Sequence, residues 1–165
     1  MRHQFAGSLL IVCIAATATA DEDQLVIDKF QFTWTVAAGG KAQFLIEKDN
    51  KSTKALLRHE GAKRPGPNAI SMTLEDAQAV GAALARTDEF LEKMKGTKDQ
   101  IETIRAGKIH VEFATTDKGD FRVSVTPEKW VHVFATLKPG EAKTLAGPMK
   151  KAVQAGALVD RKIKL

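Results

Sequence analysis

The side chains best suited to chemistry are few. Three histidines follow the N-terminal apolar run, at His59, His110 and His132. His110 and His132, with Glu112 between them, would supply a two-histidine, one-carboxylate metal set if their strands were neighbours in matching register. Solvent-facing strand histidines show the same spacing, so no metal is assigned. His59-Glu60 lacks the second histidine of the zinc-protease motif. There is no G-x-S-x-G elbow, no P-loop and no G-x-G-x-x-G behind a strand. The carboxylates Glu47, Asp49, Glu60 and Glu112 are scattered, and nothing selects one pair for acid–base work. Asp117 and Asp120 bracket a turn, where aspartates ordinarily bond local backbone. The expectation is a protein without catalytic residues, metal or cofactor. A hydrolase assembled from scattered carboxylates is the third reading.

Charge offers more. Lys48, Lys51, Lys54, Arg58, Lys63 and Arg64 crowd one segment, against Asp49 and Glu60. Two prolines stiffen the loop Lys63-Arg64-Pro65-Gly66-Pro67-Asn68, so its charges lose less entropy on binding. Lys51, Lys54, Arg58, Lys63 and Arg64 are therefore candidate contacts for phosphates or an acidic polymer. A solvated basic surface would read the same way. His110, Glu112, Arg122 and Ser124, all offset from aliphatic strand positions, make a second candidate surface. Trp34 and Trp130 could stack on bases or sugars, but Trp34 shares its phase with Phe30 and Phe32, which places it in the core.

These residues need a scaffold, and 165 residues with 44% apolar and 27% charged side chains suit one globular domain. Residues 1–20 read as a secretory signal peptide. Arg2 supplies the positive start, Leu9 to Ala16 the apolar stretch, and Ala18-Thr19-Ala20 the cleavage site before Asp21-Glu22-Asp23. The apolar run is too short for a stable membrane anchor. Cys13 follows Val12, where a lipidation site wants a small residue. The expected mature chain is an exported domain over residues 21–165, periplasmic or secreted. Losing Arg2 lowers the net charge from +5 to +4. It also loses the single cysteine, so disulfides and thiolate zinc sites are excluded. Mild positive charge attracts polyanions less strongly than a dedicated nucleic-acid binder does.

One unit is written twice, at about 28–96 and about 99–156. Lys41 to Glu47, a polar turn and Lys54 to Arg58 match Lys108 to Phe113, a turn at Lys118-Gly119 and Phe121 to Val125. Each pair leads through an apolar stretch ending in Thr-Leu, at Thr73-Leu74 and Thr136-Leu137, into a helix. Ile109, Val111 and Phe113 alternate with polar residues, as do Phe121, Val123 and Val125, which marks strands with one buried face. Pro127 ends the second of these. Residues 100–105 fit a strand or a helical turn equally. Helices are predicted over 75–95, capped by Thr73 with Asp76 as capping-box partner, and over 141–155, with a kink or restart at Pro148. Residues 158–165 alternate weakly, as a final strand would. The predicted fold is α+β: an antiparallel sheet with two helices packed on it, from two tandem strand-strand-strand-helix repeats.

That order of elements resembles the PUR-repeat group of single-stranded nucleic-acid binders over Phe30–Met94 and, more loosely, Lys108–Ala155. Phe44-Leu45-Ile46 and Ile70-Ser71-Met72-Thr73-Leu74 are the nearest local echoes, and no diagnostic motif of the group is matched. The resemblance implies binding of single-stranded nucleic acid, while the export signal points away from intracellular nucleic acid. The leading expectation is an exported, non-enzymatic binding or structural protein whose partner is an envelope or secreted protein or an anionic polymer. A single-stranded nucleic-acid or polyanion binder is the alternative.

Overall fold

The computed structural model describes residues 10–11, 29–59, 69–129 and 134–163. The first unit is an antiparallel meander, β2 (Gln31–Gly39), β3 (Ala42–Asp49), β4 (Thr53–His59) and β5 (Ala69–Met72), and a two-residue strand β1 (Leu10–Ile11) pairs with the outer edge of β2. Helices α1 (Leu74–Leu84) and α2 (Thr87–Lys93) follow. The second unit repeats the order: β6 (Ile101–Ala106), β7 (Ile109–Thr115), β8 (Phe121–Pro127) and β9 (Ala135–Leu137), then α3 (Pro139–Lys150) and α4 (Ala152–Lys162). No helix among the described residues is long and apolar enough to cross a membrane.

The α+β class and the two similar sheet–helix units stand, with finer corrections. Two sheets form rather than one, because the chain leaves β5 through two helices before β6 begins, and the meanders share no edge. Each unit has four strands, since the short apolar segments before the helices pair as β5 with β4 and β9 with β8. Residues 100–105 extend as β6. The helix expected over 75–95 divides at Ala85-Arg86, where the Thr87 hydroxyl donates to the Leu84 carbonyl at 2.6 Å. The second helix runs through Pro148 and restarts after Lys151. The expected final strand over 158–165 is corrected to helix through Lys162, because Ala152, Gly156 and Val159 recur at helical spacing and are buried. The two Thr-Leu pairs fall out of register: Leu74 opens α1, whereas Leu137 ends β9.

The alternating residues meet in one core. Phe44, Ile46 and Leu57 of the first sheet and Val111, Phe113, Val123 and Val125 of the second are fully buried against Val80, Leu84, Leu145 and Met149 of the helices. The helices are exchanged between units. α1 packs mainly on β6 and β7, and α3 and α4 pack mainly on β2, β3 and β4. Phe90 of α2 stacks on Phe113 of β7, with ring centroids 4.3 Å apart. α1 and α3 also pack on each other, at Gly81. A Cβ there would run into the backbone of Met149 and Lys150, so glycine lets the two helix backbones close.

Each unit also latches the other. The hairpins β2–β3 and β6–β7 turn through two residues, Gly40-Lys41 and Gly107-Lys108, with the first glycine at φ +59 and +64. Glycine adopts this left-handed backbone at no steric cost. The Lys108 amide donates to the Asp76 carboxylate at 3.1 Å, and the Lys41 amide donates to the Glu141 carboxylate at 2.9 Å. Asp76 and Glu141 occupy the same position, third in α1 and third in α3, so the two latches are counterparts. Thr73 does cap α1, its hydroxyl accepting from the Asp76 amide at 3.0 Å. The Asp76 side chain itself reaches the other unit's turn, so the expected reciprocal capping box is corrected there. Glu141 does both jobs, because its longer side chain also accepts from the Lys138 amide at 2.8 Å.

Burial pushes the Glu141 carboxyl up, but the amides of Lys41 and Lys138 outweigh it, and the charge of His59 adds to them, so the carboxyl lies below its ordinary value of 4.5. A carboxyl lowered on folding stabilises the fold fully above its unfolded value, and that contribution is lost as pH falls through the folded value. Glu141→Gln should cost about 1 kcal/mol at pH 7, since a half-buried charged acceptor of two amides is replaced by a neutral group that can also donate. The difference from wild type should shrink as pH falls below about 4.5. Urea unfolding of both proteins at pH 7, 5 and 3.5 measures it. A difference independent of pH would contradict the latch.

Candidate functional site

The helices lie against the inner faces of both sheets, and the sequence candidates fall on the outer faces and the hairpin tips. The first basic candidate lies on the β3–β4 hairpin, where Asp49 organises the tip. Its carboxylate accepts from the backbone amides of Lys51 and Ser52, both at 2.8 Å, and these bonds hold it below the usual carboxylate range. Polar turn residues between two alternating segments specify this geometry locally.

The cations on this hairpin differ in what they do. Lys54 lies across the strand pair from Glu47 and bonds it at 2.8 Å, with Asp49 at 3.8 Å. The Glu47 bond raises the Lys54 pKa. Glu47 is only 9% exposed and also accepts from the Gln31 amide at 2.7 Å, so Lys54 neutralises a buried carboxylate. Lys48 bonds Asp160 of α4 at 2.6 Å, and the Thr53 hydroxyl donates to the same oxygen at 2.6 Å. Those two bonds, Lys48 first, hold Asp160 below its ordinary value. An open depression of about 620 Å³ lies here, lined by the hairpin tip, Asp160 and Ile163. Its ionic groups serve to clamp α4 to the end of the first sheet. Lys51 sits exposed at the tip, and Arg58 is exposed on the outer face of β4. Lys63 and Arg64, the other two expected contacts, lie outside the described residues, as do Glu60, Trp130 and His132.

The second candidate surface is brought together. On β7, Ile109, Val111 and Phe113 point into the core, which turns His110 and Glu112 outward. On β8, Val123 and Val125 point inward, which turns Arg122, Ser124 and Thr126 outward. Cross-strand pairing then sets two rows across the second sheet: Thr103, Glu112, Ser124 and Thr136, and beside it Arg105, His110 and Thr126. Arg122 stands opposite Ala114 at the next outward position. Thr103, Arg105 and Arg122 are exposed, and His110, Glu112, Ser124, Thr126 and Thr136 are half-buried. Arg105 reaches Glu128 at 3.0 Å, both well exposed. The residues that sequence reading missed on this face are Thr103, Arg105, Thr126 and Thr136. Deciding that residues 100–105 are a strand would have found the first two by their phase.

The two outer faces are unlike. On the first sheet, Leu45 and Leu56 pair across β3 and β4 and are 2% and 8% exposed, beside the Glu47–Lys54 pair. On the second, the outward positions are hydroxyls, two arginines, a histidine and one glutamate, with the exposed Ile101 and the buried Ala114 in line with Arg122. Neither face carries an aromatic residue among the described strand positions. Among the described residues, no three His, Cys, Asp or Glu side chains converge as a metal set. No family model, curated protein or solved structure matches the chain.

The charge pairing separates supporting lysines from free ones. Lys54→Met should cost about 3 kcal/mol or more in urea unfolding, because it strands the buried Glu47 carboxylate. Lys51→Met should fall within about 0.5 kcal/mol of wild type, as surface substitutions do. Equal effects would mean that Lys54 is not structural.

Proposed function

We propose that this chain is an exported, non-enzymatic binding protein that takes an acidic envelope or secreted partner on the outer face of its second sheet. The observation behind this reading is the face itself: two aligned polar rows on paired strands, with Arg105, His110 and Arg122 beside Glu112, and Glu128 paired with Arg105 at the margin. A rigid sheet holds such side chains at fixed spacing, so little order is lost on binding. Arginine forks suit carboxylate and sulfate groups, and the four hydroxyls can donate or accept beside them. Export rests on the leader-like residues 1–20.

The alternative, single-stranded nucleic acid held by the basic hairpin, has less support. Base recognition of that kind uses aromatic stacking platforms together with cations. The described outer strand positions supply no such platform, and Lys48 and Lys54 are occupied by Asp160 and Glu47.

The test is a titration of the protein with polyglutamate, with a polyuronate and with a single-stranded thymidine oligonucleotide, each at low and physiological salt. Wild type should bind an acidic polymer in a salt-weakened manner. Arg105→Ala with Arg122→Ala should lower that affinity about tenfold, the sum of two charged contacts of under 1 kcal/mol each. Preference for the oligonucleotide, with losses in Lys51→Ala and Arg58→Ala instead, would transfer the reading to the hairpin. No binding to any polymer at low salt would overturn it.

A further inference from the structure

The four sheet edges are not protected alike. β5 and β9 are short edges of four and three residues. β6 carries Glu102 and Arg105, and charge on an edge strand discourages pairing with another chain. β2 is nine residues long, Gln-Phe-Thr-Trp-Thr-Val-Ala-Ala-Gly, with no charge and no proline. Uncharged, aromatic and β-branched strands left at an edge pair readily with further strands. Phe32, Trp34 and Val36 pack against the core yet stay only partly buried, so the edge leaves apolar surface uncovered. The edge also accepts a strand in this structure: β1 pairs antiparallel with it at Phe32 and Thr33. A bulge between Thr35 and Ala37 ends the regular stretch, leaving Gln31 to Thr35 as the segment able to pair without interruption.

We infer that this segment pairs with the same segment of a second copy of this chain, antiparallel about a two-fold axis at Thr33. The pattern Gln-Phe-Thr-Trp-Thr suits its own reversal. Thr33 meets Thr33, Gln31 meets Thr35, and Phe32 of each copy meets Trp34 of the other on the core side. Aromatic cross-strand pairs of that kind are among the favourable ones, and the two-fold axis supplies the contact twice. The two meanders then join into one sheet, and the edge is closed. The inference rests on the leader removal proposed above, because β1 takes Phe32 and Thr33. Among the described residues, the buried hydrophobic ones run from Ala42 to Val159.

The chain lacking residues 1–20 contains no cysteine, which makes a crosslinking test clean. Directly opposed antiparallel residues lie about 4.5–5.5 Å apart at Cα, within the reach of a disulfide. Light scattering behind gel filtration at about 100 µM, where micromolar association is saturated, should give twice the chain mass. Thr33→Cys should oxidise to a covalent dimer, and Ser124→Cys, on the outer face of the other sheet, should form no covalent dimer. Thr33→Lys should halve the mass while leaving the far-ultraviolet spectrum unchanged, since like charges then oppose across the axis. A monomer for the wild-type chain at that concentration overturns the inference. So does crosslinking through Ser124 as fast as through Thr33. Failure of export would show separately, as an unprocessed mass in a secreting host.

Discussion

The fold depends on an exchange. Each unit is a meander with one apolar face, and it covers that face chiefly with the helices of the other unit. The carboxylates of Asp76 and Glu141 fix the exchange at its two ends, each accepting an amide from the turn that the opposite unit makes with a left-handed glycine. Gly81 sets the distance at which α1 and α3 cross. A meander whose apolar face is left uncovered forfeits most of its hydrophobic burial, and helices of about eleven residues are marginal alone. Stability therefore belongs to the pair of units.

That exchange also settles what each sheet turns outward. It draws the helices against the inner faces of both sheets, so the outward residues of the strands face away from the core. The first sheet spends its outer face on Leu45, Leu56 and the Glu47–Lys54 pair, and its hairpin tip on clamping α4 through Asp160. The second sheet has no comparable internal use for the outward residues of β7 and β8.

Much of this was legible in residue order, and the failures have physical causes. Period-two alternation marked β7 and β8 and thereby the outward set His110, Glu112, Arg122 and Ser124, because a strand's phase alone decides which face a side chain takes. The two copies were legible through the Lys41 and Lys108 segments, which do occupy equivalent turns. The exchange was not legible, since alternation says that a face is buried but not which helix buries it. Asp76 looked like a local capping partner because a cap is read within four residues, whereas its acceptor work is done 32 residues away. The basic segment looked uniform because sequence counts charges without their partners. Glu47 stands seven residues before Lys54 and Asp160 over a hundred after Lys48, and only folding pairs them. Residues 158–165 were misread because Leu158, Asp160 and Lys162 alternate weakly, while Ala152, Gly156 and Val159 carry the helical spacing that packing selects.

The most direct test of the exchange is to make the two units as separate chains, residues 21–98 and 99–165, and follow each by circular dichroism during thermal unfolding. If each meander needs the other's helices, neither chain alone shows a cooperative transition, and mixing them restores one close to that of the intact protein. A cooperative transition in either chain by itself would contradict the account.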